Sequence, residues 1–164
     1  MTIGLDHVSV TTADLDASLR FYRDLLGLPL VARGESDEEE LAVLTGLPAV
    51  SIEWAELTLS GECVLELLHY VRPVAPALVQ LPCDPGTTHI GLSVQDIDAL
   101  HDRLVDAGVE VVSGPVALRE DGWKAVRCLY AKDPDGVTIE LVERARLPDS
   151  VVVPDLEAVS RPRT

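Results

Sequence analysis

Two histidines and two glutamates occupy corresponding positions in the two halves of the 164-residue chain. His7 and His89 each lie in a short apolar run, and each precedes an aspartate by seven residues. Glu66 and Glu140 each interrupt an apolar segment, VLELL in the first half and TIELV in the second. Imidazoles and carboxylates together are a nitrogen and oxygen ligand set for a divalent metal ion. The set contains no thiolate, which argues against a closed structural zinc site.

The repeat that contains these residues is longer than the four positions. The stretches LDHVSVTTADLDASLRFYRDLLG and TTHIGLSVQDIDALHDRLVDAG align on their histidines and end at Gly27 and Gly108. Each stretch predicts a strand followed by an amphipathic helix, with Asp14 or Asp96 as the N-cap. The sequence therefore predicts one supersecondary unit made twice.

Strand alternation predicts that all four polar side chains lie on the same side of the sheet. Val8 and Val10 are expected to face the helices, which directs His7 to the opposite face. The same parity applies to His89, Glu66 and Glu140. If the strands curl, this face is concave and the four side chains can surround one ion, leaving two of six coordination positions for water or substrate.

The remaining patterns predict the order β-α-β, a short helix and β-β in the first half, and β-α-β-β-β in the second. Ser36 and Glu39 form an S-x-x-E capping box for the short helix, and Gly46 ends it. The segment VEVVSG (109–114) is predicted to be a strand. The predicted organisation is a first module at 3–70 with a helical insert at about 36–45, a proline-rich linker at 71–86, a second module at 87–143 and a C-terminal tail at 144–164.

Composition restricts the partners. The chain carries 28 acidic and 13 basic side chains, a net charge of −15, so a nucleic acid would be repelled. No apolar run is long enough to span a bilayer and no basic and hydrophobic leader is present, so we expect a cytoplasmic protein without membrane contact. The three widely spaced cysteines are expected to be free thiols.

The motifs together resemble those of the vicinal oxygen chelate superfamily. This superfamily includes glyoxalase I, methylmalonyl-CoA epimerase, extradiol dioxygenases and the fosfomycin and bleomycin resistance proteins. The resemblance rests on DHVSV…DLDASLRFYRDLLGL, THIGLSVQDIDAL and DPDGVTIELVE and covers about residues 3–143. It implies an α+β fold of two tandem βαβββ modules that form an open, U-shaped, eight-stranded mixed sheet with helices on the convex side.

The resemblance also implies a ligand set and a reaction. The family's metal positions fall on His7, Glu66, His89 and Glu140, which would hold one divalent ion, either Zn, Ni, Co, Mn or Fe. All four positions are filled, as in glyoxalase and the epimerase group, which favours an isomerase or lyase. Such an enzyme abstracts a proton next to a carbonyl of a small α-oxygenated substrate, through a metal-stabilised enediolate. We expect a homodimer. The same motifs are compatible with a metal site formed by both modules of one chain or by modules from two chains.

The base is implied to be Glu66 or Glu140, with the other holding the metal. The epimerase group also uses a further glutamate that is not a ligand, for which Glu53 and Glu56 are candidates. Strand parity places Tyr70 toward the cleft.

A polar loop at 118–126 could close over a substrate with Arg119, Trp123 and Lys124, or it could be a solvated hairpin with a packed tryptophan. Trp54 is expected in the core. His69 and His101 are interpreted as bystanders.

Two other functions are compatible with the resemblance. An Fe(II)-dependent extradiol-type dioxygenase would use a three-ligand site, so a ligand at Glu66 argues against it. A non-catalytic small-molecule-binding or antibiotic-resistance protein would have a cleft lined by aromatic residues, which make up only 4% of the chain.

Overall fold

The computed structural model of the protein describes residues 4–60, 63–76, 78–79, 81–118 and 126–144. The first half contains β1 (His7–Thr11), α1 (Leu15–Leu19), β2 (Leu30–Ser36), α2 (Glu39–Thr45), β3 (Ser51–Ser60) and β4 (Cys63–Arg72). The second half contains β5 (His89–Ser93), α3 (Ile97–Asp106), β6 (Val116–Leu118), β7 (Val126–Lys132) and β8 (Thr138–Arg144). Residues 145–164 of the predicted tail lie outside the described residues.

The two halves have the same sheet topology. The strand orders are β1-β4-β3-β2 and β5-β8-β7-β6, with β1 parallel to β4 and β5 parallel to β8. The α+β class and the repeated βαβββ unit are therefore confirmed. The prediction of one eight-stranded sheet is wrong for the single chain, because β1 and β5 are edge strands of two separate four-stranded sheets.

Aspartates begin the main helix of each half, as predicted. The Asp14 carboxylate accepts from the N–H of Ala17 at 2.9 Å, and Asp96 accepts from Ala99 at 3.0 Å. The helix that begins with α1 passes at Arg20 into a π-helical segment, Arg20–Leu25. The sequence did not predict this change, which widens the last turn before the helix ends.

Two local predictions are wrong. Ser36 does not cap α2 but is the last residue of β2, where it pairs with Ile52. The helix begins at Glu39 with no side-chain cap, although it does end at the left-handed Gly46. In VEVVSG only Val111 pairs with β7, through an isolated bridge to Ala131. The chain then bends, and the strand that pairs with β7 is β6.

One hydrophobic core serves both modules. Leu19 and Tyr22 from the first module belong to the same buried cluster as Leu104 and Leu141 from the second. Because the helices lie on one side of each sheet, the opposite side of each sheet is free of this core.

Hydrogen bonds join the modules at the turn DPDG between β7 and β8. The Tyr22 hydroxyl donates to the Asp133 carboxylate at 2.8 Å, and both residues are buried. The Asp135 carboxylate accepts from the Thr12 hydroxyl at 2.6 Å and from the N–H of Ala13 at 3.0 Å. The turn of the second module thus holds the start of the first module's helix in place.

No helix in the described part of the chain combines the length and the apolar character needed to cross a bilayer.

Candidate metal centre

In the first sheet, His7 and Glu66 lie side by side on the face away from α1. Leu65 and Leu67, which flank Glu66, are buried at 1% and 0% exposure, so Glu66 must point to the other face. The Nε2 atom of His7 lies 3.8 Å from Oε2 of Glu66. Both side chains are partly exposed and therefore accessible to a ligand from solvent.

The second sheet repeats this arrangement. Ile139 and Leu141 are buried and flank Glu140. The Nε2 atom of His89 lies 3.2 Å from Oε2 of Glu140. The two sheets therefore each present one imidazole and one carboxylate within 4 Å of each other.

The two pairs do not meet within the chain. Among the described residues, no group of three or more His, Cys, Asp and Glu side chains is close enough to hold one metal ion. Each pair belongs to a different sheet. One chain therefore offers two half-sites, each with one nitrogen and one oxygen donor.

His7 has a second carboxylate partner that the sequence reasoning did not identify. Its Nδ1 lies 2.8 Å from Oδ1 of Asp6. The hydrogen bond with Asp6 is the main cause of a raised pKa of His7, and the nearby negative charge of Glu66 also raises this pKa. A proton shared between Nδ1 and Asp6 leaves Nε2 directed at Glu66, as in carboxylate-histidine-metal arrangements.

Each glutamate has a polar neighbour directly across the hairpin. Glu56 on β3 pairs with Glu66, and Tyr130 on β7 pairs with Glu140. The ring centroid of Tyr130 lies 5.6 Å from that of His89. The sequence analysis did not identify Tyr130. A signal was available, because Tyr130 and Glu140 are separated from Asp135 in the DPDG turn by the same number of residues, as expected of two residues that pair across a hairpin.

The structure separates the two glutamates proposed as further bases. Glu53 lies on the helix side of the sheet, where its Oε2 is 3.8 Å from a guanidinium nitrogen of Arg33. Glu56 lies on the same face as Glu66. Only Glu56 of these two therefore has access to the half-site.

Trp54 does not pack in the core, contrary to expectation. It lies on the same face as Glu56 and is only partly buried. The indole covers Gly34 of β2, where an added Cβ would meet Cζ2 of Trp54 at 2.7 Å. Parity with Glu56 would have placed Trp54 on the open face.

The other predicted residues are placed as follows. Tyr70 is partly buried and shares its face with Glu66, four residues away along β4, which is about 13 Å. Arg119, Trp123 and Lys124 lie outside the described residues. Nδ1 of His69 lies 3.1 Å from the carbonyl of Thr12.

A cavity of about 460 Å³ opens beside the turn Asp133–Gly136, next to Phe21 and Val109, and does not coincide with either half-site. This cavity lies at the junction of the modules. The His and Glu pairs lie instead on the open faces of the two sheets.

Comparison with known proteins agrees with the fold and the repeat. A family model described as the Glyoxalase/Bleomycin resistance protein/Dioxygenase superfamily matches residues 4–141. An ethylmalonyl-CoA/methylmalonyl-CoA epimerase of Cereibacter sphaeroides is 34% identical over 139 residues, covering 84% of this chain and 95% of that protein. A "Probable lactoylglutathione lyase" of Synechocystis is 28% identical over 152 residues, covering 87% and 97%.

Among solved structures, a glyoxalase family protein from Bacillus cereus superimposes with a TM-score of 0.76. It is 26% identical, and the match covers 88% of this chain and 95% of that one. The family match spans most of the chain, and the paired βαβββ modules agree with it. The chain belongs to the vicinal oxygen chelate superfamily, the glyoxalase, bleomycin resistance protein and dioxygenase group.

Proposed function

We propose that the protein is a metal-dependent isomerase or lyase of glyoxalase or epimerase type. Its substrate would be a small α-oxygenated carbonyl compound that loses a proton next to the carbonyl. The observation that carries the proposal is the imidazole and carboxylate pair in each sheet, at 3.8 Å and 3.2 Å. The relatives named as an epimerase and as a lactoylglutathione lyase support this class of reaction.

The donor set suits a divalent ion. His7, Glu66, His89 and Glu140 would supply two nitrogen and two oxygen donors, and Zn, Ni, Co, Mn or Fe would accept such a set. When bound, the ion would polarise the substrate oxygens and acidify the neighbouring C–H bond.

The complete site requires two copies of the chain. Each chain has two half-sites on separate sheets, so a twofold homodimer can join the first sheet of one copy to the second sheet of the other. Such a dimer has two identical four-ligand sites. The alternative, closure of both sheets over one ion within a chain, would require the modules to leave the core that they share through Tyr22 and Leu104.

The residues around the half-sites can handle the proton. Glu66 and Glu140 are the candidate bases, because each has a carboxylate oxygen on the open face. Glu56 lies directly opposite Glu66 on the same face, so its carboxylate is positioned to accept the proton next. The phenol of Tyr130 lies across from Glu140 and can donate a hydrogen bond to a substrate oxygen.

Tyr70 and the loop residues Arg119, Trp123 and Lys124 are proposed to contact the rest of the substrate. A small-molecule substrate is the expected partner, in agreement with the open faces and the acidic surface.

The first experiment measures metal content. Protein purified without a metal-binding tag is incubated with each divalent ion, desalted and subjected to elemental analysis. We expect about one ion per chain, and loss of it in His89→Ala with the circular dichroism spectrum unchanged. His101→Ala, in α3, is the matched control and should keep the ion. An unchanged metal content in His89→Ala would refute the ligand set.

The second experiment tests assembly across two chains. His7→Ala and His89→Ala chains with different tags are coexpressed, and the mixed dimer is isolated. A site formed across chains gives one intact site per mixed dimer, whereas a site within each chain gives none. We therefore expect about half of the wild-type metal content in the mixed dimer and almost none in either parent dimer.

Activity is then assayed with the methylglyoxal-glutathione hemithioacetal and by deuterium incorporation into methylmalonyl-CoA. Glu140→Gln should lose at least a hundredfold in turnover, since general base catalysis contributes about 10²–10⁴ in rate. Metal-loaded protein that leaves both substrates unchanged and instead consumes oxygen with a catechol would favour the dioxygenase.

A further inference from the structure

The open face of the first sheet has a flat apolar area beside its half-site. Trp54 lies directly across from Leu68, on the face that also carries Glu56 and Glu66. Trp54 and Glu66 are diagonal neighbours on adjacent antiparallel strands, so their backbones are roughly 7–8 Å apart. The indole extends from β3 over β2, so a ligand held at Glu66 would reach it with an arm long enough to cross β3.

The indole lies flat because the next strand carries no side chain beneath it. Gly34 pairs with Trp54, and an added Cβ there would lie 2.7 Å from Cζ2 and 2.9 Å from Cε2 of the indole. Ala32, the next residue of β2 on this face, is also small. The ring therefore covers β2 and does not stand up into the space above Glu66, which leaves that space open.

The aromatic platform formed by Trp54 over Gly34 has no counterpart among the described residues of the second sheet. In the second sheet the position that corresponds to Trp54 is Cys128, which pairs with Val142. Cys128 is smaller and is 8% exposed. A site built from both sheets therefore has an indole over β2 on the side of Glu66 and, among the described residues, the smaller phenol ring of Tyr130 beside Glu140.

We propose that Trp54 is a specificity-determining residue, whose indole binds a planar or aryl arm attached to the oxygenated carbonyl of the substrate. The proposal rests on the proposed function, because the half-site at Glu66 must anchor the carbonyl end. The indole is partly exposed and lies over Gly34, so a planar group can approach it from the open side of the sheet. Aromatic stacking and the burial that goes with it should favour an aryl over a methyl substituent by roughly tenfold.

The test uses two small bidentate chelators that differ only in this arm. Acetohydroxamate and 3-phenylpropanohydroxamate, whose arm can cross β3, are titrated into zinc-loaded protein by calorimetry. We expect 3-phenylpropanohydroxamate to bind roughly tenfold more tightly in the wild type. Trp54→Ala should abolish this preference without changing the affinity for acetohydroxamate, and Trp54→Phe should keep most of it.

Gly34→Ala tests the orientation of the ring while Trp54 is retained. The added methyl group must displace the indole, so the preference for 3-phenylpropanohydroxamate should fall although the aromatic residue is still present. Thr58→Ala, on the same face of β3, is the control. A preference that survives in Trp54→Ala, or that is lost in Thr58→Ala instead, would overturn the proposal.

The outcomes separate this inference from the proposed function. If neither hydroxamate binds to metal-loaded protein, the proposed metal site is refuted, and the proposed role of Trp54 is refuted with it. If both bind with equal affinity to the wild type, the metal site stands and the platform alone is refuted.

Discussion

Replacing Tyr22 by Phe removes one hydrogen bond between the two modules and leaves the ring in place. The Tyr22 hydroxyl is fully buried and donates to Oδ2 of Asp133 at 2.8 Å. The other oxygen of Asp133 accepts from the N–H groups of Asp135 and Val137. The substitution therefore deprives one buried carboxylate oxygen of this donor and changes nothing else in the turn.

The expected loss of stability follows from the charge of the acceptor. A hydrogen bond to a charged group contributes about 1.5–3 kcal/mol, so Tyr22→Phe should lower the free energy of unfolding by about 2 kcal/mol at neutral pH. For a protein of this size this corresponds to a decrease in Tm of about 4–8 °C.

The loss should depend on pH. Burial raises the pKa of Asp133, while the hydrogen bond from Tyr22 and those from the backbone hold it down. Because this pKa is above its unfolded value, the contribution of Asp133 to stability is complete at low pH and is lost as the pH rises through the folded pKa. Removing the hydroxyl raises the folded pKa further, so the cost of Tyr22→Phe is largest above that pKa and shrinks below it.

Urea unfolding at several pH values measures this cost. Tyr70→Phe makes the same chemical change on the open face, where Tyr70 is only partly buried, and should cost less than about 0.5 kcal/mol. The reasoning is refuted if Tyr22→Phe unfolds at the wild-type urea concentration, or if its penalty grows as the pH falls.

Three further predictions concern single carboxylates. Asp6→Ala should weaken metal binding about tenfold while leaving Tm unchanged, because Asp6 only orients His7; competition with a fluorescent zinc chelator measures it, and an unchanged affinity would remove Asp6 from the site. Asp135→Ala should lower the free energy of unfolding by about 1–3 kcal/mol, since the buried Thr12 loses a hydrogen-bond partner; chemical denaturation will show whether it does. Asp96→Ala removes an N-cap and should cost about 1 kcal/mol, and Asp96→Ser, which can still cap, should restore most of it.

The sequence predicted the repeated unit and the position of its polar residues because strand parity is a local property. His89 and Glu140 face away from the core for the same reason that Ile139 and Leu141 face into it. The helix starts at Asp14 and Asp96 were also correctly predicted, since an N-cap depends only on the next three residues. These features require no knowledge of distant contacts.

The predictions that were wrong depended on pairing between strands. Ser36 had a capping pattern, but extension of β2 alongside β3 took it into the ladder. Trp54 was expected in the core, although its cross-strand neighbour Gly34 gives it a surface on the open face. Separation of the strands into two sheets also could not be read from the sequence, because the motifs serve either assembly.

The position of His7 and His89 on edge strands has a consequence for handling the protein. Within the described part of the chain, β1 and β5 each have strand neighbours on one side only, so their outer N–H and C=O groups can be templates for unwanted strand addition. A variant that disrupts the proposed dimer should then become turbid on storage while its individual molecules remain folded. Light scattering during storage would detect this aggregation before circular dichroism shows any loss of secondary structure.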